Sequence, residues 1–358
     1  MDSLVVDYLG ELTGSFVDPK KRVFAGYLLG ALAIACVVML GAAGWNLRAG
    51  VAASRRLLFA RSIWWSASAR ADYKMLALNQ ALMMALGPRL AGRMALATAL
   101  FAGLHTALGG RADAGAALPA WLVVAGFTLS HFSLDDLSKY LVHRALHRWP
   151  LLWAFHKVHH SATTLTPLTV YRTHPLEAVL FTLRGTAVQA TVVAVFVFFF
   201  GNAVDLFTVL GANVFLFAFN AAGANLRHSH VRIGYGRRLE RVLMSPAQHQ
   251  IHHSVDERHH DRNFGTVLSL WDWLGGTLCL AERGEEIRFG LAREAPKDAN
   301  GLRALYLRPV AEAALVLRGG AGRAGGLARR LARTRARPPA RCSLPLPRSL
   351  PAGRRHAC

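Results

Sequence analysis

Eighteen consecutive residues, His143 to His160, read HRALHRWPLLWAFHKVHH and hold five of the chain's sixteen histidines. His143 and His147 are four apart, and His156, His159 and His160 stand at i, i+3 and i+4. Those intervals put imidazoles together on one face of a helix. The same i, i+3, i+4 spacing returns at His249, His252 and His253, in HQIHH. A single helical histidine is ordinarily a surface residue or a hydrogen-bonded core residue. Eight in three helically spaced groups are hard to produce that way, and neutral imidazole is the commonest metal ligand. Eight nitrogens are too many for one metal and about right for two. Such a set suits iron, zinc, copper or nickel. The four cysteines, Cys36, Cys279, Cys342 and Cys358, have no CxxC spacing, so neither a disulfide framework nor a thiolate metal site is expected.

Hydrophobic residues make up 53% of the 358 positions, mean hydropathy is +0.27, and yet the net charge is +21. Apolar and basic stretches are therefore segregated, which points to a membrane protein with basic cytosolic faces. Residues 1–22 lack the charged start and short apolar core of a cleaved signal. Gly26 to Trp45 is an uncharged run of twenty residues, the length needed to cross a bilayer. Residues 46–74 read as a basic connection lying at the interface. Residues 75–110 are apolar but broken by Gly87-Pro88-Arg89 and Arg93, which allows one bent span or a short hairpin. Leu118 to Ser130 leads into the first histidines. Glu177–Phe200 and Val204–Ala222 read as a second apolar pair joined by the uncharged Gly201-Asn202-Ala203. Residues 135–176 and 223–263 are rich in Arg, Lys and His, so the histidine boxes are expected on the cytosolic side, with 201–203 opposite. Arg184, two turns inside a span, is expected to snorkel to the interface. Residues 318–358 carry eleven Arg, no Lys and no acid, about half the net charge, in a Gly/Pro/Ala-rich context that argues against a packed core. This tail fits anionic lipid head groups better than nucleic acid, for which no aromatic interleaving or binding motif is present.

The order HRALH, HKVHH, HQIHH resembles the fatty acid hydroxylase/sterol desaturase superfamily of membrane di-iron oxygenases. The segment Arg172-Thr-His174-Pro-Leu-Glu177 resembles its R-x-H-P-x-E segment. Asn263-Phe-Gly265 and Leu270-Trp-Asp-Trp-Leu-Gly-Gly-Thr277 resemble its closing N-Y-G and W-D-x-x-F-G-T signatures. The resemblance runs over roughly 117–280 and departs at Phe264 (usually Tyr), Gly275 (usually Phe) and His228-Ser-His230 (commonly H-S-N). It divides the chain into a membrane region (1–116), a catalytic domain (117–280), an extension (281–317) and the basic tail (318–358).

That resemblance implies an all-α integral membrane bundle with a histidine-rich di-metal cap, which the charge pattern puts on the cytosolic side; a bacterial inner membrane is the expected location. It implies two iron ions, with O2 as co-substrate, held by His143, His147, His156, His159, His160, His249, His252 and His253, with His228 as a ninth ligand. Asp136 and Tyr140 fall on the same helical stripe as His143 and His147, and Asp136 is expected to accept from a ligand imidazole. His174 is expected near the metals. His230, His259 and His260 are expected in a solvated basic loop, and His105 and His131 in hydrogen bonds within the bundle. The implied reaction is hydroxylation, or alternatively desaturation, of a lipid C–H bond, with electrons from a separate protein. Two other readings stand beside it: a zinc-dependent membrane hydrolase, and a non-catalytic metal-binding or transport protein. A water-activating zinc normally has only three protein ligands. A transporter needs ligands deep within its spans.

Overall fold

The computed structural model describes residues 2–90, 92–110, 118–201, 204–206, 208–209, 212–282, 284–291 and 298–335. The architecture is all-α. An N-terminal helix α1 (Asp2–Val17) precedes α2 (Ala25–Ala42), which is apolar all round. Asn46 then accepts from the amide of Ala49 at 3.0 Å and so starts α3 (Leu47–Leu58), followed by the single turn α4 (Arg61–Trp64). Over 75–110 the chain forms two helices, α5 (Ala67–Leu90) and α6 (Arg93–Ala107), the second packed on α9 (Pro175–Phe200).

Two long helices carry the rest. α7 (Ala120–Arg148) has 29 residues, roughly 43 Å at 1.5 Å per residue. Its apolar half packs on α9 (Pro175–Phe200) and its polar half delivers the first histidines. Pro150 at the first position of α8 (Pro150–His160) turns the chain sharply off the end of α7. Helices α2 and α9 are long and apolar enough to cross a membrane, and the rest of the chain leaves most of their residues uncovered.

The expected span Val204–Ala222 is not one helix. A two-stranded antiparallel hairpin, β1 (Thr208–Val209) with β2 (Ala212–Asn213), is followed by α10 (Val214–Ala221). At eight residues α10 is about 12 Å long, too short to cross. The side chain of Asn213 caps α10 by accepting from Phe215 N at 3.0 Å, which requires extended backbone just where a span would need helix. Asn202 and Ala203 of the expected opposite-side loop lie outside the described residues. Arg184 does not snorkel. It pairs with Asp135 of α7 at 2.9 Å and donates to Ser138 Oγ at 2.6 Å, so it ties α9 to α7.

The cap adds α11 (Pro246–His252) and α12 (Leu270–Leu274). A core of Phe132, Phe219, Ala224, Met244 and Val267 joins α7 and α10 to the cap loops. The extension forms α13 (Leu302–Arg335), whose Leu305 packs with Ala71, Met75 and Val158. Glu312 pairs with Lys157 of α8. The helix passes the expected boundary at 317, and residues 336–358 of the basic tail lie outside the described residues.

A buried ion pair joins the N-terminal region to the catalytic segment. Arg172 and Asp72 are both fully buried and 3.0 Å apart. The remaining guanidinium protons go to Val158 O, Ser68 O, Ser161 Oγ and Asn300 Oδ1, while Thr169 donates to Asp72 at 2.7 Å. Arg172→Met strands the Asp72 carboxylate, so we expect a loss of about 3–5 kcal/mol. The readout is the thermal unfolding midpoint of the detergent-purified protein, and an unchanged midpoint contradicts the assigned role.

Candidate metal centre

The nine histidines come from four pieces of backbone. His143 and His147 lie in the last turns of α7, and His156, His159 and His160 in α8. His228 ends a 3-10 turn, Ala224–His228, entered through Gly223 at φ +89°, a conformation that favours glycine. His249, His252 and His253 lie on α11 and its C-cap, and α11 is started by a reciprocal Ser245–Gln248 capping box.

The structure brings all nine together in two groups. One is His143, His147, His156, His160 and His252; the other is His159, His228, His249 and His253. Within each, the facing ring nitrogens all lie within 4.8 Å of one another. Each i, i+3, i+4 triad is split between the groups. His156 and His160 enter the first while His159 enters the second; His249 and His253 enter the second while His252 enters the first. The i, i+4 pairs share a ridge, and the remaining residue is rotated off it. The groups therefore share their helices and abut, with the His160 and His253 rings 4.6 Å apart and stacked.

Hydrogen bonds fix which nitrogen faces inward. A carbonyl oxygen only accepts, so His143 Nδ1–H donates to Phe264 O and His252 Nδ1–H to Arg262 O, both at 2.8 Å. His156 Nδ1–H donates to Glu177 Oε1 at 2.9 Å. The Nε2 atoms of His143 and His156 are thus lone-pair acceptors facing each other at 3.1 Å. Two lone pairs cannot hydrogen-bond. Protonation is opposed by burial, which pulls His143 and His156 down to about 3. Burial first, and neighbouring imidazoles second, push His160, His252 and His253 well below the ordinary histidine range. The Nε2 atoms of His147 and His252 are buried without a hydrogen-bond partner. Across the second group, His228 Nε2 stands 3.0 Å from His249 Nε2 and 3.2 Å from His253 Nε2. Ligands at metal–nitrogen distances near 2.0–2.1 Å sit about 3.0–3.4 Å from each other. Neutral, inward-facing, unpartnered nitrogens at that separation fit metal ions.

Some expected neighbours have other work. The Asp136 carboxylate touches no imidazole. It accepts from Val267 N and Leu268 N at 2.9 Å and Trp271 Nε1 at 3.0 Å, which engages both oxygens with the loop before α12 and with α12 itself. Tyr140 Oη contacts Thr277 Oγ1 at 3.3 Å and accepts from Arg144 at 3.1 Å, not from a ligand ring. His174 accepts from Leu176 N, capping α9, and its other nitrogen donates to Tyr306 O, so both ring nitrogens are committed. His259 pairs with Glu285 at 3.1 Å, His260 is exposed and His230 packs near Phe289; none belongs to either group.

Other supporting residues were not singled out from the sequence. Glu177 orients His156. Asn263, at φ +56°, bridges Gln248 O and Cys279 O and accepts from Cys279 N. Asp272 accepts from Phe264 N, Gly265 N and Thr277 Oγ1, at 2.6–2.8 Å, and so holds the carbonyl that orients His143. The R-x-H-P-x-E, N-x-G and W-D segments were the available signal. A cavity of about 470 Å³ opens beside His143, His156, His159, His228 and His249, with Leu76, Met83, Val170 and Phe181 among its walls.

The fatty acid hydroxylase family model matches residues 128–277. Ornithine lipid hydroxylase OlsE of Rhizobium tropici is 26% identical over 178 residues, 50% of this chain and 48% of that protein. Very-long-chain aldehyde decarbonylase GL1-1 of Oryza sativa subsp. indica is 31% identical over 175 residues, 45% of this chain and 25% of its own length. Alkylglycerol monooxygenase of Homo sapiens is 26% identical over 157 residues, 44% of this chain and 31% of its own. The chain therefore spans half or less of the length of these curated relatives. No solved structure matches it. All nine imidazoles, the N-F-G turn and the W-D-W-L segment lie inside residues 128–277, the stretch that is similar to the fatty acid hydroxylase family and to these lipid-modifying relatives.

Proposed function

We propose that this chain is a membrane-bound di-iron oxygenase that uses O2 to hydroxylate a C–H bond of a lipid. The observation that carries the reading is the pair of abutting all-nitrogen groups, five and four imidazoles, opening on one apolar-walled cavity. His143, His147, His156, His160 and His252 would hold one iron, and His159, His228, His249 and His253 the other. Two bound irons supply the redox chemistry that couples O2 reduction to C–H oxidation. Three, four or five protein ligands distinguish the alternatives: a hydrolytic zinc normally has three protein ligands and a water, fewer than either group offers. A transport role would place ligands along the spans, whereas these lie at the end of α7 and in the cap.

The protein's own contribution is positioning. Phe264 O, Arg262 O and Glu177 each hold an Nδ1 proton, which presents Nε2 inward and fixes the ring. The apolar walls at Leu76, Met83 and Phe181 hold hydrocarbon and exclude water. In the balanced reaction, one atom of O2 enters the C–H bond as a hydroxyl. The other leaves as water with two electrons and two protons, the electrons from a separate donor protein on the basic, cytosolic side. The names of the ornithine lipid hydroxylase and the alkylglycerol monooxygenase support a lipid and oxygen insertion. Cells carrying the chain, grown under oxygen-18 gas, should accumulate a lipid heavier by one labelled oxygen than in cells without it. A product that only loses two hydrogens makes the protein a desaturase, and product formed without O2 removes the oxygenase reading.

A further inference from the structure

The cavity beside the imidazoles carries a charge pattern that C–H oxidation does not require. Its lining includes two guanidinium groups, Arg22 and Arg227. Arg22 enters from the loop between α1 and α2, outside the stretch matched by the family model. Its Nε and Nη2 are buried and have no hydrogen-bond partner. Burial lowers its pKa only to about 10, so it stays cationic at neutral pH. Its charge also acts on His159 and His228, which line the same cavity.

Arg227 is 3% exposed and spends Nε and Nη1 on the neutral carbonyls of Ala224 and Thr266, at 3.0 and 2.7 Å. Among the described residues no carboxylate pairs with either arginine. The cavity's lysine, Lys139, is already paired with Asp135 at 2.6 Å. Its acid, Glu177, gives Oε1 to His156 and forms no ion pair with either arginine. A cation whose Nε and Nη2 are buried without partner or counter-charge is unfavourable, and Arg22 shares this cavity with a second guanidinium, Arg227. The missing charge is supplied by what enters.

We propose that Arg22 and Arg227 form an anion-binding pair in this cavity, so that the substrate is an anionic amphiphile carrying a phosphate or carboxylate. Guanidinium forks match both groups in geometry and charge. The apolar walls take the hydrocarbon and the arginines take the head. This substrate class rests on the lipid-oxygenase reading for the cavity's purpose, but its test does not.

The experiment measures equilibrium binding of tritiated hexadecyl phosphate and tritiated hexadecanol to the full chain in phosphatidylcholine nanodiscs. Empty nanodiscs correct for partitioning, and no electron donor or oxygen is supplied. Wild type should bind hexadecyl phosphate at least about 10-fold tighter than hexadecanol, the scale of one charge-assisted hydrogen bond. Arg22→Gln should erase that preference and Arg22→Lys should keep most of it. Retained hexadecanol binding shows that the variant is folded. Equal binding of the two probes by wild type, or an undiminished preference in Arg22→Gln, overturns the proposal. Inorganic phosphate should fail to displace the hexadecyl probe at equal concentration. Displacement there would assign the pair to free phosphate and overturn the amphiphile. A chain that binds hexadecyl phosphate through Arg22 yet inserts no oxygen contradicts the oxygenase reading alone. One that hydroxylates lipid with no preference for anions contradicts the anion site alone.

Discussion

His252→Ala and His249→Ala should each bring iron in anaerobically prepared protein from two per chain to about one, and should each abolish oxygen insertion. His252 belongs to the five-imidazole group and His249 to the four-imidazole group. One position in each is therefore vacated while the other group keeps its ligands. The activity loss should exceed about 100-fold, because even residues that only orient a ligand typically cost 10–100-fold. His260→Ala, exposed and outside both groups, should leave metal content and activity unchanged. Metal analysis and product formation need to be read together, since zinc binds such nitrogen sites at least as well as ferrous iron. One metal per wild-type chain, or full activity in either variant, sinks the two-iron arrangement.

The histidine spacing was legible because i, i+3 and i+4 are local intervals that a helix turns directly into a shared face. How each triad divides between two groups was not. That depends on how α8 and α11 approach each other, and nothing in HKVHH or HQIHH encodes the angle. Asp136 shows the limit of reading along one helix. It shares a stripe with His143 and His147, but two backbone amides and an indole from residues 131 or more positions away claim both carboxylate oxygens. His174 was drawn away in the same manner, by a local cap and by Tyr306 of α13.

Membrane segments failed for a different reason. Composition reported the helices within Gly26–Trp45 and Glu177–Phe200 well, since a long apolar run has few alternatives to helix. In Val204–Ala222 composition is equally apolar, and one side chain, Asn213, decides that a new helix begins there. Arg184 read as an isolated charge because its partner, Asp135, lies on another helix. The arginine pair of the cavity was invisible for the same cause: Arg22 and Arg227 are some two hundred residues apart and meet only in the fold.

Gly275 departs from the phenylalanine usual at this point of the signature, and the structure accounts for it. A Cβ at Gly275 would lie 1.9 Å from Tyr140 Oη, 3.0 Å from Tyr140 Cζ and 2.9 Å from the carbonyl of Trp271. Tyr140 cannot simply swing aside, since its hydroxyl is held between Arg144 and Thr277, and Thr277 also donates to Asp272 at 2.6 Å. Asp272 in turn fixes Phe264, whose carbonyl orients His143. Gly275→Ala should therefore destabilise by about 1–3 kcal/mol, the usual range for overpacking. Gly275→Phe, which restores the family residue, should cost more and lower metal retention with it. Tyr140→Phe removes the nearest atom, so the double variant Tyr140→Phe/Gly275→Ala should recover part of the loss. The measurements are the thermal unfolding midpoint and the iron retained after dialysis, for the two single variants and the pair. Strict additivity would deny the contact, because residues that touch are expected to couple by about 0.5–3 kcal/mol. A Gly275→Phe protein as stable as wild type would place the tyrosine and the glycine in separate environments.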